Sequence, residues 1–208
     1  MKIRLFLKTA LVVTLMTLTI YSCKQISEIS KNLASLQNLK FKLENITNFK
    51  LIGIDLASKN SISNFSVTDG LKLTQAFTSK SFPADFVLNI AASNPNDGTK
   101  GTRSTLATIT SLDWQLYIDD VQTVSGILND KFDVPASGQK TIIPLRINVD
   151  LYKFFQNKSY EGIVNLALAL GGVNGSAARV KLDARPTVNT PFGPISSPRI
   201  TIIDKEFR

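Results

Sequence analysis

From residue 39 onward, apolar side chains return at every second position in segment after segment, and that period restricts the chain to stacked sheets. The cleanest instance is Leu112, Trp114, Leu116 and Ile118, interleaved with Asp113, Gln115, Tyr117 and Asp119. A strand turns successive side chains to opposite faces, so the pattern makes one face greasy and the other wet. Leu39, Phe41 and Leu43 repeat it, as do Phe86, Leu88, Ile90 and Ala92, then Ile143, Leu145, Ile147 and Val149, then Ala178, Val180, Leu182 and Ala184. Val164, Leu166, Leu168 and Leu170 read the same way and predict a further strand, with Gly171-Gly172-Val173-Asn174-Gly175 as its hairpin turn.

The punctuation agrees. Asn94-Pro95-Asn96-Asp97-Gly98 must stop a strand, because proline lacks the ladder amide and Asn, Asp and Gly accept turn geometry. Asp119-Asp120 and Ala136-Ser137-Gly138 are further turns. Ile52, Ile54 and Leu56 suggest a short strand with Gly53 as a bulge or close approach. Pro144 demotes its strand to an edge or a bulge, and Pro186, Pro191, Pro194 and Pro198 punctuate a loop before Ile200 and Ile202 close the domain. Two helices interrupt the series. Thr68 to Lys80, with Leu71, Leu73, Ala76 and Phe77 as its apolar set, reads as a helix capped by Thr68 or Asp69. Asp150 caps a short one from Leu151 to Gln156. Many short alternating strands with Gly and Pro turns argue an antiparallel sandwich or barrel.

The N-terminus has a different grammar. Lys2, Arg4 and Lys8 precede an apolar run that carries no charge and ends at Ile20-Tyr21-Ser22-Cys23, the only cysteine in the chain. The run is shorter than the roughly 20 residues a spanning helix needs, and its layout is that of a secretory signal. No Ala-x-Ala-like site is present, since after Ala10 the next alanine is Ala34. Ile20, Ser22 and Cys23 resemble a bacterial lipobox, with Tyr21 bulkier than usual there. That resemblance implies cleavage between Ser22 and Cys23, a thioether from Cys23 to diacylglycerol, and acylation of the new amine by a fatty acid such as palmitate. Domain limits follow: 1–22 a signal peptide, 23–37 a tether with Ile26, Ile29, Leu33 and Leu36 at near-helical spacing, and 38–208 the folded domain.

Composition narrows the chemistry. There is no histidine, which removes the most frequent general acid–base and the commonest metal ligand. A lipidated Cys23 leaves no thiol nucleophile and no disulfide within one chain. The formal charge of +8 falls to +5 once Lys2, Arg4 and Lys8 are removed, and the remaining cations are scattered, so no nucleic-acid stripe forms. Asp113 and Asp119 share a strand face but lie about 20 Å apart, too far for paired-carboxylate catalysis. Asp119-Asp120 reads as turn chemistry, with a weak calcium site as the alternative. Trp114 belongs to the inward series, and Asn94 and Asn96 satisfy turn backbone. The expectation is a chain that is not an enzyme, with no catalytic, cofactor-binding or metal-binding residue.

Asn94-Pro95-Asn96, Leu112 to Asp119, Gly126, Val134-Pro135-Ala136-Ser137-Gly138, Ile143-Pro144-Leu145, Arg185-Pro186-Thr187 and Pro191 to Ile195 occur in an order similar to the late-embryogenesis-abundant type 2 (LEA type 2, or WHy) domain. The likeness covers roughly 38–204, and the part before residue 80 resembles the longer lipoprotein members found in Bacteroidota-like bacteria more than the short plant form. It implies an all-β, antiparallel Greek-key sandwich of immunoglobulin or fibronectin III type with one or two short helices. It also implies an association with desiccation and stress response, and no catalytic site. Two functions follow as expectations. One is an envelope lipoprotein that contacts other envelope proteins or surfaces, in the outer membrane facing the periplasm. The alternative is a periplasmic carrier for a small apolar ligand or lipid.

Overall fold

A computed structural model describes residues 38–59, 61–99, 104–172, 178–190 and 193–207. The alternating segments form two antiparallel sheets. The first contains β1 (Lys40–Leu51), β2 (Ile54–Asp55), β3 (Pro83–Ser93) and β7 (Lys140–Asp150), in the order β2-β1-β3-β7. The second contains β4 (Ala107–Ile118), β5 (Val121–Leu128), β8 (Ala178–Thr190) and β10 (Ile200–Phe207), in the order β10-β8-β4-β5. Two short strands extend it: β6 (Phe132–Val134) pairs with β4, and β9 (Gly193–Ser196) with β8. β3 and β7, and likewise β4 and β8, neighbour one another in a sheet yet are joined through the opposite sheet. The fold is an all-β sandwich, as the alternation requires.

The inward positions do what their period demands. Leu88 and Ile90 of β3 and Ile143, Leu145, Ile147 and Val149 of β7 face Leu112, Trp114, Leu116 and Ile118 of β4, and all are buried. Fully burying each such side chain contributes about 1.5–3 kcal/mol, so the sandwich interior is the main source of stability. Pro144 stands opposite Asn89 on the outermost strand of its sheet, where its missing amide costs nothing. Gly126 faces Trp114 across the β4–β5 pair. A Cβ there would lie 2.8 Å from Trp114 Cζ2. Gly126→Ala is therefore expected to destabilise by about 1–3 kcal/mol, read as a lower urea midpoint together with a shift in tryptophan emission.

Several expectations need correction. Residues 164–170 are not a strand. They belong to an α-helix, Tyr160–Leu170, and Gly171 ends that helix instead of opening a hairpin; residues 173–177 lie outside the described set. The even positions alternate only in appearance, because Ile163, Ala167 and Ala169 are apolar and buried as well. A continuous apolar run fits a buried helix as readily as a strand. Ser159 decides the matter locally, its hydroxyl accepting from Gly162 N at 3.2 Å as an N-cap. Second, Pro186 lies within β8 and Pro194 within β9, not in a loop. Pro186 sits where the outer neighbour of β8 changes, β10 pairing up to Ala184 and β9 from Thr187, so no donor is needed there. Third, β1 is one strand through Leu51, with register shifts after Leu43 and after Thr47. Ile52 and Gly53, both at positive φ, make the two-residue turn into β2.

The helices are α1 (Val67–Thr78), α2 (Leu151–Phe155) and α3 (Tyr160–Leu170), one more than expected, with a 3-10 turn at Ile62–Asn64. The cap of α1 is Ser66, not Thr68 or Asp69. Ser66 Oγ accepts from Asp69 N at 3.1 Å, and Asp69 Oδ2 accepts from Ser66 N at 3.0 Å, a closed capping box. The Ser66 amide and then the Lys59 ammonium, 3.1 Å away, hold the Asp69 carboxyl below its ordinary value. A depressed folded pKa means that this stabilisation is present at neutral pH and fades as pH falls from the ordinary aspartate value through the folded one. Amide exchange in the first turn of α1 is expected to quicken over that acid range, and Asp69→Asn to remove the pH dependence.

Candidate functional site

Cys23 and Ser22, the predicted lipidation and cleavage residues, lie outside the described residues, as does the 24–37 segment. Their consequence for the domain is set by where the chain joins it. Asn38 Nδ2 donates to Asn96 Oδ1 at 3.1 Å, and Lys40 pairs with Ser93 and Ser93 with Lys140. The chain therefore joins the first sheet at the end that carries the Asn94-Pro95-Asn96 corner.

That corner is a buried amide lock. Asn94 is 0% exposed and Asn96 1%. Asn94 Nδ2 donates to Thr105 O at 2.8 Å and to Val134 O at 3.1 Å. Its Oδ1 accepts from Asn96 N at 3.1 Å and from Asn96 Nδ2 at 2.8 Å. One side chain at the end of β3 thus holds carbonyls at the start of β4 and the end of β6, linking the two sheets. The turn-backbone role expected of these asparagines is what they perform, although their reach across the sandwich was not legible.

The helices gather at the opposite end. Asp150 Oδ1 accepts from Phe82 N at 2.8 Å and from Tyr152 N at 3.0 Å, and Oδ2 accepts from Ser81 Oγ at 3.0 Å, joining the end of β7 to α2 and to the segment after α1. Phe77 meets Phe82, Tyr152 and Tyr160 edge to face, with ring centroids 5.8–6.3 Å apart. Leu73 is the buried residue of α1, whereas Val67 is 85% exposed and Leu71 67%. Leu71, expected in the apolar set that packs inward, instead points to solvent with Val67 one turn earlier. The i, i+4 spacing of Val67 and Leu71 was visible, but only the docking of Leu73 and Phe77 tells which face is covered.

Asp113, Asp119 and Asp120 are each answered by a cation. Asp113 lies 2.6 Å from Arg199 Nη2, Asp119 3.8 Å from Lys158 Nζ, and Asp120 pairs with Arg179. Asp119 and Asp120 both take positive φ in the β4–β5 turn, and Asp119 Oδ1 accepts from Arg179 N at 3.1 Å. These carboxylates fasten the hairpin to the start of β8. Trp114 is buried in the core. Among the described residues no group of three or more Cys, Asp or Glu is placed to hold a metal. Among them, too, no helix is long and apolar enough to cross a membrane. What the arrangement offers chemically is surface: an amide-locked end, a helical end with two exposed apolar side chains, and two wet sheet faces.

No family model matches the chain, and no curated protein matches it. Solved structures give likenesses of low identity. A candidate late embryogenesis abundant (LEA) protein shares 15% identity, with 93% of this chain and 88% of that one covered, at a TM-score of 0.35. A protein of Archaeoglobus fulgidus shares 11% over 60% of this chain and 84% of its own, at 0.33. An Arabidopsis thaliana protein shares 20% over 62% and 77%, at 0.26. With TM-scores below 0.5, these likenesses carry no argument about what the chain does.

Proposed function

We propose that this chain is a lipid-anchored envelope protein whose LEA type 2-like sandwich is non-catalytic and works by contact, in protection against water stress. The observation that carries the reading is the leader itself: a basic start, a short apolar run and a single cysteine at its end. Two acyl chains on Cys23, each methylene contributing about 0.8 kcal/mol, make a stable anchor where one chain makes a marginal one. The tether of residues 23–37 then leads to Asn38 at the amide-locked end. In this arrangement the helical end, with Val67 and Leu71, stands away from the bilayer.

Labelled palmitate is expected to enter the wild-type protein and not Cys23→Ala, and the variant is expected to leave the membrane fraction. Persistence of Cys23→Ala in that fraction would sink the anchor. The stress role has its own measurement: a strain lacking the protein should survive drying less well, and rescue should require Cys23. Equal survival would remove the stress role and leave the anchor standing.

A further inference from the structure

The outward face of the first sheet carries its charge unevenly. Its first row sets Lys40, Ser93 and Lys140 abreast, two residues from Asn38, and the next sets Lys42, Ala91 and Ile142. These positions alternate with the buried Leu43, Ile90 and Ile143, so they face away from the core. Arg146 lies on the same face two rows further on. Lys40, Lys42, Lys140, Arg146 and Ile142 are all exposed. Glu44 answers two of the cations, 3.5 Å from Lys42 Nζ and 3.4 Å from Lys140 Nζ, while Lys40 and Arg146 stand in no ion pair among the described residues. Beyond Arg146 the balance reverses, with Lys50 between Asp55 and Asp85. The outward face of the second sheet is more nearly neutral: Asp113 and Asp183 stand among Lys181, Arg185 and Arg199, and Asp113 pairs with Arg199.

We infer that the Lys40–Arg146 half of this face rests on anionic lipid headgroups of the bilayer that holds Cys23. This contact presupposes the proposed lipid anchor and adds to it. Two features select the bilayer as occupant. The first is charge: the excess cations complement lipid phosphate, and each lysine or arginine close to such a surface strengthens binding about fivefold. The second is the point of entry. The chain coming from Cys23 enters the fold at Asn38, beside Lys40, so the basic rows are the part of the sheet nearest the anchor along the chain. The 14 residues 24–37 span at most about 50 Å. A contact too weak to recruit a free protein is sufficient for one held within that reach.

The make-up of the face suits headgroups better than a protein. Protein interfaces are depleted in lysine, whereas lysine stems lie along an interfacial layer with their ammonium groups among phosphates. Ile142, 44% exposed between these cations, is the one large apolar side chain this half presents to solvent, enough to enter the headgroup boundary and too little for a dry protein interface. Asp97 and Asp133, also at this end, lie outside this sheet and accept from Thr99 and Thr108. Screening limits the attraction to a Debye length, about 8 Å at physiological salt, so the contact is short-ranged and the helical end, with Val67 and Leu71, stays clear of it.

The test places the full lipidated protein on vesicles of phosphatidylethanolamine with phosphatidylglycerol, and on vesicles of phosphatidylcholine alone. A polarity-sensitive fluorophore on Ile142→Cys is expected to report a headgroup environment, and to be quenched by a headgroup-attached quencher, on the first vesicles and not on the second. The same fluorophore on Leu71→Cys, at the helical end, is expected to report water on both. Lys40→Gln with Arg146→Gln, in the Ile142→Cys background, is expected to lower the ratio of docked to free domain by roughly tenfold or more, and raised salt to lower it as well. An unchanged circular dichroism spectrum for each variant keeps folding out of the comparison. Protein retained on the anionic vesicles with the Ile142→Cys probe in water would overturn the docking and leave the anchor standing. An equal signal on phosphatidylcholine, or one insensitive to the double substitution, would overturn the docking too. Protein that stays with neither vesicle would overturn the anchor and the docking together.

Discussion

Asn94→Ala is expected to destabilise the domain by about 3 kcal/mol or more, since each buried polar group left without a partner costs about 1–3 kcal/mol. The substitution removes four hydrogen bonds together, to the carbonyls of Thr105 and Val134 and from the backbone amide and side-chain amide of Asn96. The side chain is fully buried, so water cannot substitute without opening the sandwich. Asn94→Asp should do no better, because a carboxylate keeps the acceptor role but presents negative charge to two carbonyl oxygens. Urea unfolding checks both: the midpoint should fall while the slope stays that of the wild type. A midpoint within experimental error of wild type would mean that the lock does not hold the sheets together. Fraying is expected first where β6 meets β4, so amide exchange at Val134 should quicken more than at Leu88 in the centre of β3.

Phe82→Ala is expected to cost about 3–5 kcal/mol, the range for emptying a buried aromatic site. Phe82 is 0% exposed, and its ring packs edge to face on Phe77 of α1. Its backbone is engaged on both sides, N–H to Asp150 Oδ1 and carbonyl to Leu151 N at 2.9 Å. The residue therefore joins three elements: the segment leaving α1, the end of β7 and the start of α2. Loss of the ring should loosen α1 before the sheets, because that helix buries little else than Leu73. Exchange of α1 amides at conditions where the sheet amides stay protected is the distinguishing measurement. Uniform loss of protection would show that the helical end and the sandwich unfold as one unit.

Particular residues show how far the chain could be read before its structure. Leu112 to Ile118 was legible because a strand buried on one face writes its geometry into every second residue. Asp119-Asp120 and Pro144 were legible because each has a local backbone meaning. Residues 163–170 were not, since a segment buried on all sides carries no period, and helix and strand then spell alike. The Ser159 cap was the available local signal. Pro186 was misread because a proline inside a strand that is paired on both sides is tolerable where its outer neighbour changes, and neighbours are not written in sequence order.

The sequence by itself determined the all-β character, most of the turns and the absence of histidine chemistry, because these depend on residue type and on periods within a single segment. The tertiary structure decided the rest. It set which strands adjoin, that Asn94 reaches across to Val134, that Leu71 faces water while Leu73 does not, and that β5 lies at an edge. Those outcomes depend on contacts between segments far apart in the chain, where burial and pairing are properties of the assembled sheets and of no single stretch of residues.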